Sequence, residues 1–416
     1  MNDFIINGNV LEKYNGTDSE VVIPEGVEII KKSAFYECRA LKNVKIPSSV
    51  MEIGDYAFEW CTGLKNIEIP VGVKKVGVGA FYNCKNLASV EISEGVTKIE
   101  RGAFCKCSAL KSIKIPNSVT EISYKIFGGC ANLKSVELPS SLTKIAGHAF
   151  HGCSELEKIE IPNEVREIGG RAFCWCSKLE QIEIPSSVKK IGSSICSSCY
   201  SLTSIKVAND NKVFDSREDC NAIIETNSNC LICGCKSSKI PSSVTEIENR
   251  AFYDCAGLKN IEIPASVKVI GEYAFAFCED LRSINIPASV KVIEKCTFCG
   301  CFKLESAFIP KTVKVIGVGA FYNCVSLKNL TISNGVKTIR NLAFKNCRSL
   351  VNLEIPQSVT KIGYYAFVDC VRLETVRGSR KSIDEINFSW DENEPKIIYT
   401  DNETEKDKIA DKNTKS

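Results

Sequence analysis

The stretch PVGVKKVGVGAFYNCKNLASVEI, residues 70–92, is one copy of a 23-residue pattern that decides the fold. The next 23 residues, SEGVTKIERGAFCKCSALKSIKI at 93–115, place Val, Ile, Ala-Phe, Cys and Leu at the same positions. In both directions the pattern P-x-x-V-x-x-I-G-x-x-A-F-x-x-C-x-x-L-x-x-I-x-I continues, with fourteen copies in all. Self-similarity at a fixed period of this length is typical of a protein in which each repeat stacks on the next.

Cysteine and phenylalanine form the most regular columns of the pattern. Phe stands three residues before each of these cysteines, except that Cys196 replaces it once, and Ala precedes eleven of the fourteen positions. Twelve of the thirteen prolines occupy one position of the register. The cysteines run in two series with a spacing of 23 residues: Cys38, Cys61, Cys84, Cys107, Cys130, Cys153, Cys176 and Cys199, then Cys255, Cys278, Cys301, Cys324, Cys347 and Cys370.

The apolar spacing within one repeat matches a helical face, but the repeat context favours a solenoid. Each repeat contains features that disfavour a long helix: a proline every 23 residues, glycines after the Ile and the alternation I-x-I. A unit of this length cannot bury its apolar residues alone, whereas stacked units share one core. The best strand candidates are stretches such as residues 66–70, with Ile67 and Ile69 inward and Glu68 outward, paired in parallel along one face. The A-F-x-x-C stretch is expected to form a short helical turn or coil.

The spacing and residues resemble the BspA-type, or Treponema-type, leucine-rich repeat of bacterial proteins over roughly residues 20 to 378. The resemblance implies a leucine-rich repeat solenoid of about fourteen 23-residue coils, mostly β and coil. It also implies a possible role in cell adhesion, since members of the family with signal sequences are associated with cell surfaces and host-component binding.

Composition excludes several classes of function. The net charge of +3 is spread thinly over 53 basic and 50 acidic residues, which argues against nucleic acid as a partner. No stretch approaches 18 apolar residues, and the N-terminus lacks the pattern of a secretory signal, so we expect no membrane span and a cytoplasmic location, with the cell surface as the alternative. With two histidines and no catalytic motif, the chain is expected not to be an enzyme and to need no cofactor.

The register breaks between Cys199 and Cys255, which are 56 residues apart. We assign residues 1–23 to an N-terminal cap, 24–206 to a first repeat block, 207–239 to an insert and 240–378 to a second block. Residues 379–400, which include Trp390, would form a C-terminal cap, and 401–416 a disordered tail. Apolar alternation at 222–224 and 231–232, separated by a turn-rich stretch, predicts a hairpin that extends the solenoid.

The cysteines and histidines offer few candidates for a metal site. The ladder cysteines are interpreted as small buried apolar residues. Four further thiols in the insert, Cys220, Cys230, Cys233 and Cys235, are weak candidates for a zinc site, and the competing interpretation is that they are structural. His148 and His151 share one coil as H-x-x-H and are expected to be surface or filler positions.

The outward positions of the predicted strands carry an acidic stripe. Like charges at strand spacing repel each other, so flanking lysines could make it an ordinary solvated face. The alternative is a partner surface with an exposed aromatic anchor. The candidate partner-binding residues are Glu68, Glu91, Glu137, Glu160, Glu183 and Phe308.

These observations together predict a non-enzymatic protein-interaction scaffold that binds an unidentified protein partner as a monomer. The first alternative is a bacterial surface adhesin for host components, exported by an unrecognised route. The second is a zinc- or redox-responsive protein that uses the insert cysteines.

Overall fold

The structure is a computed structural model that describes residues 3–384, 386 and 395–402. The chain divides into two compact units, with the boundary between Thr226 and Asn227. Each unit is a stack of parallel coils, which confirms the predicted leucine-rich repeat solenoid. The described residues form about 17 coils rather than fourteen, because the terminal and insert segments add turns to the stacks.

The first column of strands, which we call the sheet face, consists of the predicted x-I-x-I stretches. In Asn66–Ile69 the side chains of Ile67 and Ile69 are buried while Glu68 is exposed, as alternation requires. Because neighbouring strands pair in parallel at the 23-residue period, Glu68 lies opposite Glu91. The strands of the sheet face in the first unit are Glu20–Val22, Asn43–Lys45, Asn66–Ile69, Ser89–Ile92, Ser112–Lys114, Ser135–Glu137, Gln181–Ile184 and Ser204–Val207. Those of the second unit are Ser283–Asn285, Ser306–Ile309, Asn329–Ile332, Asn352–Glu354, Thr375–Gly378 and Lys396–Tyr399.

A second column of short parallel strands was not predicted. It lies at the V-x-x-I part of each repeat, where two residues such as Lys75–Val76 pair with the same positions in the adjacent coils. Two residues are too few to give a strand signal in the sequence. In the first unit the column comprises Val10–Tyr14, Ile29–Ile30, Glu52–Ile53, Lys75–Val76, Lys98–Ile99, Glu121–Ile122, Lys144–Ile145, Glu167–Ile168 and Lys190–Ile191. In the second unit it comprises Cys230–Gly234, Glu246–Ile247, Val269–Ile270, Val292–Ile293, Val315–Ile316, Thr338–Ile339 and Lys361–Ile362.

The A-F-x-x-C stretch forms turns that close the third side of each coil. Two residues per turn, such as Tyr56 and Trp60, adopt left-handed backbone conformations with φ of 56° and 62°. This geometry lets alternate N–H groups reach the next coil, and the Phe58 N–H donates to the Ala80 carbonyl at 2.7 Å. Because the same donors recur in most coils, a third backbone ladder runs along each unit.

The phenylalanines of the turns stack as a continuous column inside each unit. Ring centroids of successive coils lie 4.7–6.0 Å apart in the first unit and 5.0–5.6 Å apart in the second. Phe81 and Phe104, at 5.4 Å, have nearly parallel rings. Tyr14 covers the first phenylalanine of the column at 5.1 Å. Stacked aromatic pairs add to the free energy gained from burial.

Eleven of the fourteen ladder cysteines are buried in this core, while Cys38, Cys199 and Cys255 are half-buried, and the thiols make one repeated hydrogen bond. Twelve of the fourteen donate to the carbonyl of the ladder Phe, or its equivalent, in the preceding coil, with Sγ···O distances of 3.0–3.4 Å. The Cys84 thiol, for example, donates to Phe58 at 3.1 Å. A thiol is small and apolar enough for the core and still donates weakly, which explains why Cys occupies this column.

The insert and the termini add to the stacks. Ala222–Glu225 pairs antiparallel with Phe214–Asp215, next to the short 3-10 helix Arg217–Asp219. Cys230–Gly234 pairs in parallel with Glu246–Ile247 in the second unit. At the N-terminus, Phe4–Asn7 forms a hairpin with the first strand of the second column.

The C-terminal segment begins with the helix Arg380–Asp384. The strand Lys396–Tyr399 then pairs in parallel with Thr375–Gly378, and the 3-10 helix Thr400–Asn402 follows it. Trp390 of the predicted C-terminal cap and most of the predicted tail lie outside the described residues.

Candidate interaction surface

Three of the predicted site residues lie close together among the outward side chains of the sheet face in the first unit. Glu137, Glu160 and Glu183 follow one another in consecutive coils and are all exposed. Lys114 lies opposite Glu137 and forms an ion pair with it at 2.9 Å, and this carboxylate raises the pKa of Lys114 by a hydrogen bond. Lys206 lies opposite Glu183.

Two adjoining grooves lie between these carboxylates. The first has a volume of about 770 Å³ and is lined by Glu137 and Glu160, and the second, of about 700 Å³, is lined by Glu160 and Glu183. Both grooves share residues 158–161, so this stretch separates them. Cavities of this size are within the range that binding sites have.

The shared stretch is a break in the sheet face. Residues 158–161 read KIEI, as in a typical repeat, yet they form no strand between Ser135–Glu137 and Gln181–Ile184. Among the described residues, the backbone groups of 158–161 make no hydrogen bond with other backbone groups. Glu157, just before the stretch, still donates its N–H to the Lys134 carbonyl and accepts a hydrogen bond from the Glu180 N–H. Backbone N–H and C=O groups are strong donors and acceptors, so the break offers a partner a set of hydrogen-bonding groups.

The grooves carry more negative than positive charge. Five carboxylates line them, those of Glu137, Glu160, Glu164, Glu183 and Asp210, against three lysines. One of the lysines is already engaged in the ion pair with Glu137. The surface is therefore complementary to a basic ligand.

The remaining predicted site residues lie elsewhere. Glu68 and Glu91 are opposite each other on the sheet face of the first unit but do not line either groove. Phe308 belongs to the second unit, where it is 47% exposed in the strand Ser306–Ile309. Its exposure agrees with its outward position in the repeat.

The insert thiols are mostly buried. Cys220, Cys233 and Cys235 are each at most 3% exposed, and burial raises the pKa of Cys220 to about 11. In the part of the chain that the structure describes, no three His, Cys, Asp or Glu side chains are grouped so that they could hold a metal ion. Burial lowers the pKa of both His148 and His151, whose ring centroids are 5.2 Å apart.

Comparison with known proteins agrees with the coil geometry. The BspA type leucine rich repeat region matches in six copies, over residues 13–133, 97–220, 223–350 and 314–408. This chain is a BspA-type leucine-rich repeat protein. Among the described residues of this BspA-type protein, no helix has the length and apolar composition that crossing a bilayer requires. The comparison with curated proteins gives no significant match.

Solved structures of bacterial leucine-rich repeat proteins resemble this BspA-type protein along most of their length. A leucine rich cell surface protein from Faecalibacterium prausnitzii is 30% identical, with a TM-score of 0.67 over 92% of this chain and 95% of that one. A leucine-rich repeat protein from Bacteroides ovatus is 28% identical, with a TM-score of 0.53 over 92% and 87%. The pneumococcal vaccine antigen PcpA, 20% identical with a TM-score of 0.55 over 96% and 97%, shares the fold.

Two features of the surface were missed in the sequence. Lys158 and Asn163 line both grooves, but the repeat that contains them has the usual P-x-x-V and I-x-I residues, so no local signal marks the break in the sheet. Cys296, the first cysteine of a C-x-x-C-x-C turn, was not singled out because no ladder position falls on it.

Proposed function

We propose that this BspA-type protein is a non-enzymatic scaffold that binds an extended, basic segment of a partner protein on the sheet face of its first unit. The observation that carries the proposal is the coincidence, at residues 158–161, of a break in the sheet with two acidic grooves. The fold class supports protein binding, since solenoids present extended surfaces for it.

The chemistry of the grooves supports an extended ligand. An extended peptide presents N–H and C=O groups along both edges and can pair with the backbone groups at 158–161. Lysine or arginine side chains of the peptide would then face Glu160 between the grooves and Glu137 and Glu183 on either side. Such charge pairs contribute mainly orientation and association rate, while the backbone pairing contributes affinity.

Charge reversal in matched pairs tests the proposal. The probe is a fluorescent peptide of alternating lysine and threonine, and binding is followed by anisotropy for the unaltered chain, Glu160→Lys/Glu183→Lys and Glu68→Lys/Glu91→Lys. Both variants change the net charge by the same amount at outward positions of the same face. We expect the first variant to lose at least tenfold in affinity and the second to lose little.

Two outcomes would contradict the groove as the binding site. Equal losses in both variants would mean that only long-range charge attracts the peptide. Unchanged binding in both variants would remove the sheet face of the first unit from consideration. Thermal unfolding of each variant serves as the folding control, because the altered side chains are exposed.

We further propose that the protein acts at the bacterial cell surface, as an adhesin for host components. The observation that favours this location over the cytoplasm is the 30% identity, along nearly the whole of both chains, to the cell surface protein from Faecalibacterium prausnitzii. Antibody labelling of intact native cells should detect the protein, with a cytoplasmic enzyme as the negative control. Detection only after lysis would contradict a surface location.

A further inference from the structure

One turn of the second unit carries cysteine at both ends. In the sequence CTFCGC, residues 296–301, Cys301 is the buried ladder thiol, which donates to the Phe275 carbonyl at 3.2 Å. Cys299 is 6% exposed, and Cys296 lies at the surface with intermediate exposure. The turn therefore places two thiols that are not part of the ladder side by side, one buried and one accessible.

The geometry of the turn allows the two thiols to form a disulfide. Cys296 has a left-handed backbone with φ of 51°, and the Cys299 N–H donates to the Cys296 carbonyl at 3.2 Å. This hydrogen bond closes a turn of four residues, in which the end Cα atoms are less than about 7 Å apart. Disulfides join Cα atoms at about 4.4–6.8 Å.

Equivalent turns in other coils lack the second thiol. Cys105 occupies the position of Cys299, but Gly102 stands in the place of Cys296, and burial raises the pKa of Cys105. In the coil after Cys296 the equivalent residue is Gly319, and a Cβ there would lie only 3.2 Å from the Cys296 sulfur. The missing side chain leaves that side of the thiol open.

The surroundings of Cys296 stabilise its thiolate. A hydrogen bond from Cys299 lowers the pKa of Cys296 to about 7 against the opposing effect of burial, and hydrogen bonding to Tyr273 and the charge of Lys295 act in the same direction. Glu272 opposes them weakly. Conversely, the hydrogen bond to Cys296, followed by burial, raises the pKa of Cys299. An accessible thiolate beside a buried protonated thiol is the arrangement that disulfide exchange requires.

We propose that Cys296 and Cys299 form a redox-active dithiol that is oxidised reversibly by disulfides of low molecular weight or on exposed protein segments. The Cys296 thiolate attacks one sulfur of the disulfide RSSR, which forms a Cys296–S–S–R bond and releases RS⁻. Cys299 then gives its proton to solvent and attacks the Cys296 sulfur, which releases the second RS⁻. The two RS⁻ groups take up the proton that Cys299 released and the proton that Cys296 gave to solvent when its thiolate formed, so the dithiol loses two electrons and two protons in all while RSSR is reduced to two RSH.

The test uses the full chain equilibrated in glutathione buffers of increasing oxidised fraction. The reaction is quenched with acid, remaining thiols are alkylated, and tandem mass spectrometry locates the alkylated and disulfide-bonded cysteines. As the oxidised fraction rises, we expect alkylation of Cys296 and alkylation of Cys299 to decrease together, and one intramolecular disulfide between them to appear. Cys105 and Cys301 should remain alkylatable after unfolding, since neither has an accessible partner.

Two variants separate the roles of the thiols. Cys299→Ser should stop at the first step and accumulate the mixed disulfide of Cys296 with glutathione, whereas Cys296→Ser should leave Cys299 reduced. The proposal is overturned if Cys296 and Cys299 stay reduced in the buffers that contain only oxidised glutathione, or if Cys299→Ser forms no mixed disulfide. Because these positions lie in the second unit, the outcome is independent of peptide binding on the first.

Discussion

Alkaline pH should unfold the first unit because its ladder thiols are buried. For five of these thiols, burial is the main reason why the pKa is raised above that of an exposed cysteine, and for Cys84 the pKa is about 12. The unfolded chain has no such constraint, and its thiols ionise near pH 8.5. The five ladder thiols of the first unit that burial affects in this way are Cys84, Cys107, Cys130, Cys153 and Cys176.

The sign and size of the effect follow from proton linkage. A raised folded-state pKa contributes stability that is fully present below the unfolded value of about 8.5 and is lost as pH rises toward the folded value. At pH 10 the ionisation of one thiol favours the unfolded chain by about 2 kcal/mol. Five thiols together favour it by about 10 kcal/mol, which is comparable with the total stability of about 5–15 kcal/mol that a domain has.

The assay is urea unfolding followed by circular dichroism at intervals between pH 7.5 and pH 10 under reducing conditions. Replacing one ladder thiol in Cys84→Ala should decrease the pH slope of the unfolding free energy by about 1.4 kcal/mol per pH unit above pH 9. The matched control is Val96→Ala, which also removes volume from the core but no titratable group. Its slope should equal that of the unaltered chain.

Two results would refute this reasoning. A free energy of unfolding that stays constant from pH 8 to pH 10 would show that the ladder thiols are not buried in the folded chain. A slope that Cys84→Ala leaves unchanged would show that this cysteine ionises equally in both states.

Three further predictions concern stability. Phe104→Ala and Phe275→Ala should each cost about 3–5 kcal/mol in urea unfolding, because both rings are fully buried between neighbouring rings, and a cost below about 1 kcal/mol would contradict the stacking. Phe308→Ser should change the unfolding free energy by less than about 0.5 kcal/mol, since the ring is half exposed, and a larger loss would place it in the core. Burial raises the pKa of Asp215, but hydrogen bonds from Arg217 and Thr226 outweigh this and hold the pKa below its usual value. Its contribution is present above pH ~3.9 and lost as pH falls through the folded pKa, so Asp215→Asn should lower the Tm more at pH 7 than at pH 2.

The columns of the core could be predicted from the sequence because each is a repeated choice of residue. Phe81 and Phe104 stack as expected, since the same apolar residue recurs at the period of one coil. The alternation in 66–69 likewise placed Ile67 inward and Glu68 outward. Every repeat has apolar residues at the positions that are buried, and because fourteen repeats agree, the buried positions can be predicted from the sequence.

Features that depend on backbone pairing could not be predicted in the same way. The left-handed residues Tyr56 and Trp60 are not glycines, so their conformation has no signal in their own repeat. The break at 158–161 occurs in a stretch whose residues are those of a paired strand. The thiol hydrogen bond from Cys84 to Phe58 joins adjacent coils, and it becomes visible only when the coils are placed side by side.

Reactivity of individual cysteines in the native protein tests the shared dry core most directly. The chain is pulsed with a thiol-alkylating reagent under native conditions, and mass spectrometry measures the rate at each cysteine. The account predicts that Cys107, Cys130 and Cys153, each fully buried, react only as fast as the first unit unfolds. Alkylation of these three thiols at the rate of an unfolded peptide would contradict it.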